Sequence, residues 1–238
     1  IHEELHVSPA AALTQGRARA IAAQGGIGKT TLAREYIERF WRLYPRIFWV
    51  DARLGFEAGF ADIHDLLFPE RASGTLKDAE KAAAAFRELE RPAAPGQPDR
   101  ETLLILDNAE DEAATLRWVP KTGSCRTLIT SRFAAWSQAL IRTIHLHVLE
   151  PEPARQLLLN ITGRLWAELP SAEQIAADAL AKELGYLPLA LEQAAAYVVA
   201  IGTEFTFAEY LDLYHHNQRD LLARQFLRGD LYPDSVAT

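Results

Sequence analysis

The segment Ala20-Ile21-Ala22-Ala23-Gln24-Gly25-Gly26-Ile27-Gly28-Lys29-Thr30-Thr31-Leu32-Ala33 leaves this chain few folds to choose from. An apolar run enters a turn of small residues, and a lysine, two threonines and an amphipathic stretch leave it. Glycine allows backbone angles that a Cβ forbids, and lets the main chain approach a ligand closely. In such a turn successive N–H groups point inward at the positive end of a helix, where they receive phosphate oxygens. The spacing is A-x-x-x-x-G-K-T, with Ala23 where the stricter pattern has Gly. Lys29 then reaches the β- and γ-phosphates, and the Thr30 hydroxyl ligates Mg²⁺. Gly25, Gly26, Ile27, Gly28, Lys29, Thr30 and Thr31 are therefore the candidate binding segment for a nucleoside di- or triphosphate.

Around that loop, short apolar runs alternate with helical stretches over the first 150 or so residues, the sign of an α/β parallel sheet. The pattern predicts strands over Ala18–Gln24, Ile47–Asp51, Leu103–Asp107, Arg126–Ser131 and Thr143–Leu149. Helices are expected over Lys29–Leu43, Phe56–Leu67, Leu76–Arg91 and Asp111–Trp118, the third being rich in Ala, Glu, Lys and Leu. The Pro/Gly-rich run Arg91–Asp99 marks a loop. After Leu149 a hinge-like stretch, Glu150–Pro153, precedes helical patterns at Pro153–Ile161, Ala172–Leu184, Pro188–Ile201 and Phe207–Leu222, without a convincing β-run. Ser171 and Gln174 have capping-box spacing, and Gly185 sits where a helix C-cap belongs. The expected architecture is α/β: a P-loop NTPase parallel sheet with helices on both faces over 1–149, then a small all-helical domain over 150–238.

A nucleotide site of this kind needs a carboxylate at the end of a neighbouring strand, and Thr102–Asp107 reads outward into Asp107, the candidate Mg²⁺ partner of Thr30. Asn108 follows where a second acid would polarise the attacking water; an amide cannot take a proton, so hydrolysis should be slow or need a partner. Glu110 and Asp111 are possible substitutes on the next turn. The run Arg126–Arg132 ends in hydroxyls and an arginine, and Arg132 is a candidate γ-phosphate sensor, its alternative being a surface arginine. Pro188, in Gly185-Tyr186-Leu187-Pro188-Leu189-Ala190-Leu191, fits the first turn of a helix.

Net charge −7 disfavours broad, sequence-independent binding to nucleic acid, and no direct nucleic-acid partner is expected. No apolar run has the ~20 residues that span a bilayer, so no membrane partner is expected. The single Cys125 fits a reducing compartment, and a cytoplasmic location follows as an expectation. Starting at Ile1 with no Met, the chain reads as a piece of a longer protein. His145 and His147 alternate on an expected strand but lack further ligands at metal spacing; His215 and His216 read as surface residues, and the five tryptophans as scattered packing anchors.

The order of motifs resembles one family, the NB-ARC group of STAND NTPases, nucleotide switches of plant resistance proteins, apoptotic scaffolds and many bacterial signalling proteins. Gly25–Ala33 is similar to its phosphate loop, Phe48–Ala52 to its second strand and Leu103–Asp111 to its metal-binding strand. Thr127–Arg132 is similar to its sensor strand and Gly185–Leu191 to the proline motif of its helical subdomain. The resemblance implies that the ligand is ATP or ADP, that Pro188 packs against the adenine, and that Arg132 reads the γ-phosphate. It implies an ADP-held closed state, self-association in the ATP state, and flanking effector and sensor domains outside this chain. The stretch around Leu5–Leu13 would partly represent an adenine-holding extension. On this reading the chain is a regulatory switch with slow hydrolysis, in which Lys29, Asp107 and Arg132 act on the nucleotide. The alternatives are a P-loop ATPase or kinase with steady turnover, or a scaffold that holds ADP without hydrolysis.

Overall fold

A computed structural model describes residues 18–71, 76–92, 101–133, 136 and 141–226, the last ten by backbone only. The chain forms β1 (Ala18–Ala22), α1 (Lys29–Phe40), β2 (Arg46–Asp51), α2 (Phe56–Leu67), α3 (Asp78–Leu89), β3 (Thr102–Asp107), α4 (Glu112–Leu116), β4 (Cys125–Ser131) and β5 (Arg142–His145). There follow α5 (Pro151–Thr162), α6 (Ser171–Glu183), α7 (Pro188–Ile201) and α8 (Phe207–Phe226). The stretch around Leu5–Leu13 and most of the Arg91–Asp99 loop lie outside the described residues.

By contacts the chain divides into two units. One holds residues 18–23 and Lys29–Leu146, the other Gln24–Gly28 and residues 147–226. In the first unit five parallel strands lie in the order β2-β3-β4-β1-β5. The alternation of side chains along each strand sends Leu104 and Leu106 to one face and Leu103 and Ile105 to the other. On the first face Phe48, Val50, Leu104, Leu106 and Ile129 pack with Phe60 and Ile63 of α2 and Ala82, Ala85 and Leu89 of α3. On the second, Ile21, Leu103, Ile105 and Leu128 meet Ala33 and Tyr36 of α1. Covering both faces explains why β3 is an unbroken apolar run, buried along its whole length. Gly59 lets α2 lie close on β2, since a Cβ there would fall 2.6 Å from Val50 Cγ1.

The strand order corrects one expectation. Asp107 is not on a strand beside β1, because β4 is inserted between β1 and β3. The expected strand Thr143–Leu149 stops at His145, so His147 shares no strand face with it. Trp41 is exposed and stacks under the Arg42 guanidinium, unlike Trp136, which is buried.

The helical unit packs Leu158 and Leu159 of α5, Leu180 of α6, Leu191 and Val198 of α7, and Phe207 and Tyr210 of α8 into its own core. The Glu150–Pro153 stretch is the start of α5, with Glu150 as N-cap and Pro151 in the first turn, where a missing N–H costs nothing. Gly185, at φ 61°, ends α6 as foreseen. Its N–H bonds to Lys182 O and that of Tyr186 to Ala181 O, the two crossed bonds of a Schellman motif. The Ser171–Gln174 capping box does not form. Ser171 already lies inside α6, Pro170 is the N-cap, and the Gln174 amide donates to Trp166 O instead. A reciprocal box forms at α8: Glu209 N–H donates to Thr206 Oγ1, and Thr206 N–H to Glu209 Oε2.

Candidate functional site

Parallel pairing brings the C-terminal ends of β1, β2, β3 and β4 to one edge of the sheet, the edge where open α/β folds bind ligands. Ala23 follows β1 there, and its N–H is held by Ser131 O of β4 at 3.3 Å. The next five residues form the turn into α1. Gly26 and Gly28 take φ of 76° and 91°, the left-handed region that a side chain strains. At Gly28 a Cβ would meet nothing within 4 Å, so the glycine there serves dihedral freedom rather than space. Ile27 is buried, Thr31 is exposed on the first turn of α1, and the Lys29 ammonium donates back to Ala23 O at 2.9 Å. The turn is thus closed on itself by the lysine the motif singles out.

Thr30 and Asp107, 77 residues apart, are brought together, with Thr30 Oγ1 donating to Asp107 Oδ1 at 2.9 Å. Asp107 is 4% exposed, and a second hydroxyl, Thr130 of β4, also donates to Oδ1. The inserted strand thus supplies part of the carboxylate's support. A hard hydroxyl oxygen beside a carboxylate oxygen is the donor set that Mg²⁺ takes from a protein when phosphates complete its shell. Among the described residues no cluster of three or more His, Cys, Asp and Glu could hold a metal unaided.

Asn108 lies just outside this pair, at φ 59°, a conformation asparagine tolerates better than most residues. Its backbone N–H donates to Thr130 Oγ1 at 3.0 Å. Its amide nitrogen donates to Asp107 Oδ2 at 3.2 Å and to Asp51 Oδ1, at the end of β2, at 3.3 Å. Asp51 is held below the usual carboxylate range chiefly by the Arg53 side chain, which bonds both its oxygens, with the Arg53 N–H and the Asn108 amide adding to the effect. Of the substitutes considered for a missing base, Asp111 is spent as the N-cap of α4, accepting from Ala114 N–H at 2.8 Å, and Glu110 is exposed.

Arg132 follows β4 at the same edge and is exposed, one residue beyond the Ser131 that holds Ala23. In the helical unit Pro188 opens α7, and the next N–H, of Leu189, donates to Gly26 O at 3.0 Å. Sequence reasoning missed Asp51 and Thr130. Both stand at strand ends, as Asp107 does, and strand-end polarity was the available signal.

No family model matches the chain. It is 36% identical over 191 residues to the regulatory protein AfsR of Streptomyces griseus and 33% identical over 191 residues to AfsR of Streptomyces coelicolor. Each match takes in 77% of this chain but 18% of the relative, so the chain spans under a fifth of the length of these curated relatives. Among solved structures, a RuvB variant of Thermotoga maritima superposes with a TM-score of 0.53 at 14% identity, covering 91% of this chain and 69% of that one. The fold is that of the P-loop ATPases: a five-stranded parallel sheet covered on both faces, with helices following. Among the described residues no helix is long and apolar enough to cross a membrane.

Proposed function

We propose that this chain is the nucleotide-binding switch module of a larger regulatory protein, of the NB-ARC type. It would bind ADP or ATP with Mg²⁺, hydrolyse ATP slowly and self-associate in the ATP state. The observation that carries the reading is the Thr30–Asp107 hydrogen bond at 2.9 Å, directly after a glycine turn closed by Lys29. Lys29 and the turn's amides would hold the phosphates, while Thr30 and Asp107 would hold the metal, which when bound neutralises charge on the phosphate oxygens. The names of the two Streptomyces relatives, both regulatory proteins, support a regulatory role.

A switch needs a contact made in one nucleotide state only, since a ligand bound equally by two states shifts neither. Arg132 is the group we assign to the γ-phosphate, at the edge where β1 and β4 end. The loop is the relay: Gly26 is bonded to Leu189, beside Pro188, which we assign to the base. Asn108 in place of an acid favours a switch over an enzyme of steady turnover.

The test is a pair of measurements. Native chain and Arg132→Ala are titrated with ADP and with a non-hydrolysable ATP analogue, and multiple-turnover hydrolysis is followed. A switch requires turnover far below one per second and an ATP/ADP affinity ratio that changes in the variant. Turnover well above about one per second, in the ordinary enzyme range, would favour a working ATPase. An unchanged ratio removes the sensor role from Arg132.

A further inference from the structure

We infer that Asp51 is a positioning residue, which aims the side-chain carbonyl of Asn108 as the acceptor for the water that attacks the nucleotide. The inference rests on the nucleotide-switch reading and concerns how its slow hydrolysis takes place.

An asparagine side chain offers two N–H donors on nitrogen and an acceptor on oxygen, and only its neighbours decide which end points where. Here the neighbours are two carboxylates, and ionised carboxylates only accept. Asn108 Nδ2 lies 3.3 Å from Asp51 Oδ1 and 3.2 Å from Asp107 Oδ2, so each of its protons has an acceptor. Turning the amide over would set its oxygen against two negative oxygens. The carbonyl Oδ1 is thereby committed to the other side, and among the described residues no group donates to it. The main chain is fixed as well, by the Asn108 N–H to Thr130 Oγ1 bond at 3.0 Å. Asp51 itself is not the base, because Arg53 occupies both its oxygens, at 2.8 Å to Oδ2 and through its backbone N–H at 3.0 Å to Oδ1.

In the reaction this arrangement serves, the water oxygen bonds to the γ-phosphorus as the β,γ-bridging P–O bond breaks. The diphosphate leaves, and the water's proton passes to a phosphate oxygen, since an amide carbonyl does not take it. Asn108 orients the water and does no more, which fits slow turnover.

Asp51→Ser tests this. Serine caps the Ala52–Leu54 turn as aspartate does, by accepting from Arg53 N–H, but is too short to reach the Asn108 amide. Two readouts are taken: affinity for ADP–aluminium fluoride, which mimics the in-line transition state, and single-turnover ATP hydrolysis. The variant should lose roughly tenfold in both while its ADP affinity stays within about twofold. The exchange pair adds a second arm. Asn108→Asp alone sets a third carboxylate against Asp51 and Asp107, whereas Asp51→Asn combined with Asn108→Asp removes the repulsion at position 51 and restores that bond with donor and acceptor swapped. The double variant should therefore hydrolyse faster than Asn108→Asp alone. Native behaviour of Asp51→Ser in both readouts, or a double variant no faster than the single one, overturns the proposal and leaves the switch reading standing. A native chain that takes up no ADP overturns both.

Discussion

A lysine ammonium is a compact charge on a flexible stem, and at position 29 it already lies against the loop's first carbonyl. Lys29→Ala is expected to lower ADP affinity on the order of 100-fold, a loss of about 2.7 kcal/mol, in a fluorescent-nucleotide titration. Thr130 does something different. Its hydroxyl donates to Asp107 and accepts from the Asn108 N–H, so Thr130→Val keeps the shape but leaves a half-buried N–H and a buried carboxylate short of partners. That should cost about 1–3 kcal/mol in denaturant unfolding. The contrast shows what the sequence carries at this scale. Lys29, Thr30 and the glycines are legible because loop chemistry demands those residue types at fixed spacing. Thr130 and Asp51 are not, because their roles come from β2 and β4 flanking β3, an order set by packing that no local spacing records.

Elements show the same division. Phe56–Leu67 and Pro188–Ile201 form with the bounds their patterns predict, because Gly55 and Gly202 flank one start and one end and Pro188 fixes the other start. Ser171 misled because capping-box spacing says nothing of where the helix begins, and Pro170 sets that point one residue earlier. Gly59 is a tighter constraint. A methyl group there meets Val50, so Gly59→Ala must push α2 off β2 or twist Val50, and about 1–3 kcal/mol of stability should be lost in thermal or denaturant melting. In the helical unit, burial on α8 pushes the Tyr210 hydroxyl up to about 12, with Tyr214 and Tyr197 adding to the shift. A raised folded value means that its stabilising share is complete below the unfolded value near 10 and is lost as pH climbs toward 12. Circular dichroism should show the native chain losing stability across that alkaline window, with a shallower loss in Tyr210→Phe.

For the whole chain, sheet and helices each bury a core of their own, so each unit has the apolar interior that a fold requires. The class of each half is legible in the chain's apolar patterning, but the strand order is not. That order puts β4 at the centre of the site and makes its hydroxyls and Arg132 neighbours of the loop strand. The claim on which the account turns is that this edge takes up an adenine nucleotide through Lys29 and the Thr30–Asp107 pair. Isothermal titration calorimetry of the purified chain with ADP in the presence of Mg²⁺ tests it most directly, after any nucleotide carried through purification has been removed. One nucleotide per chain is expected for the native protein, with affinity on the order of 100-fold lower for Lys29→Ala and weakened uptake for Asp107→Ala. No uptake by the native chain, or equal uptake by all three, would contradict it.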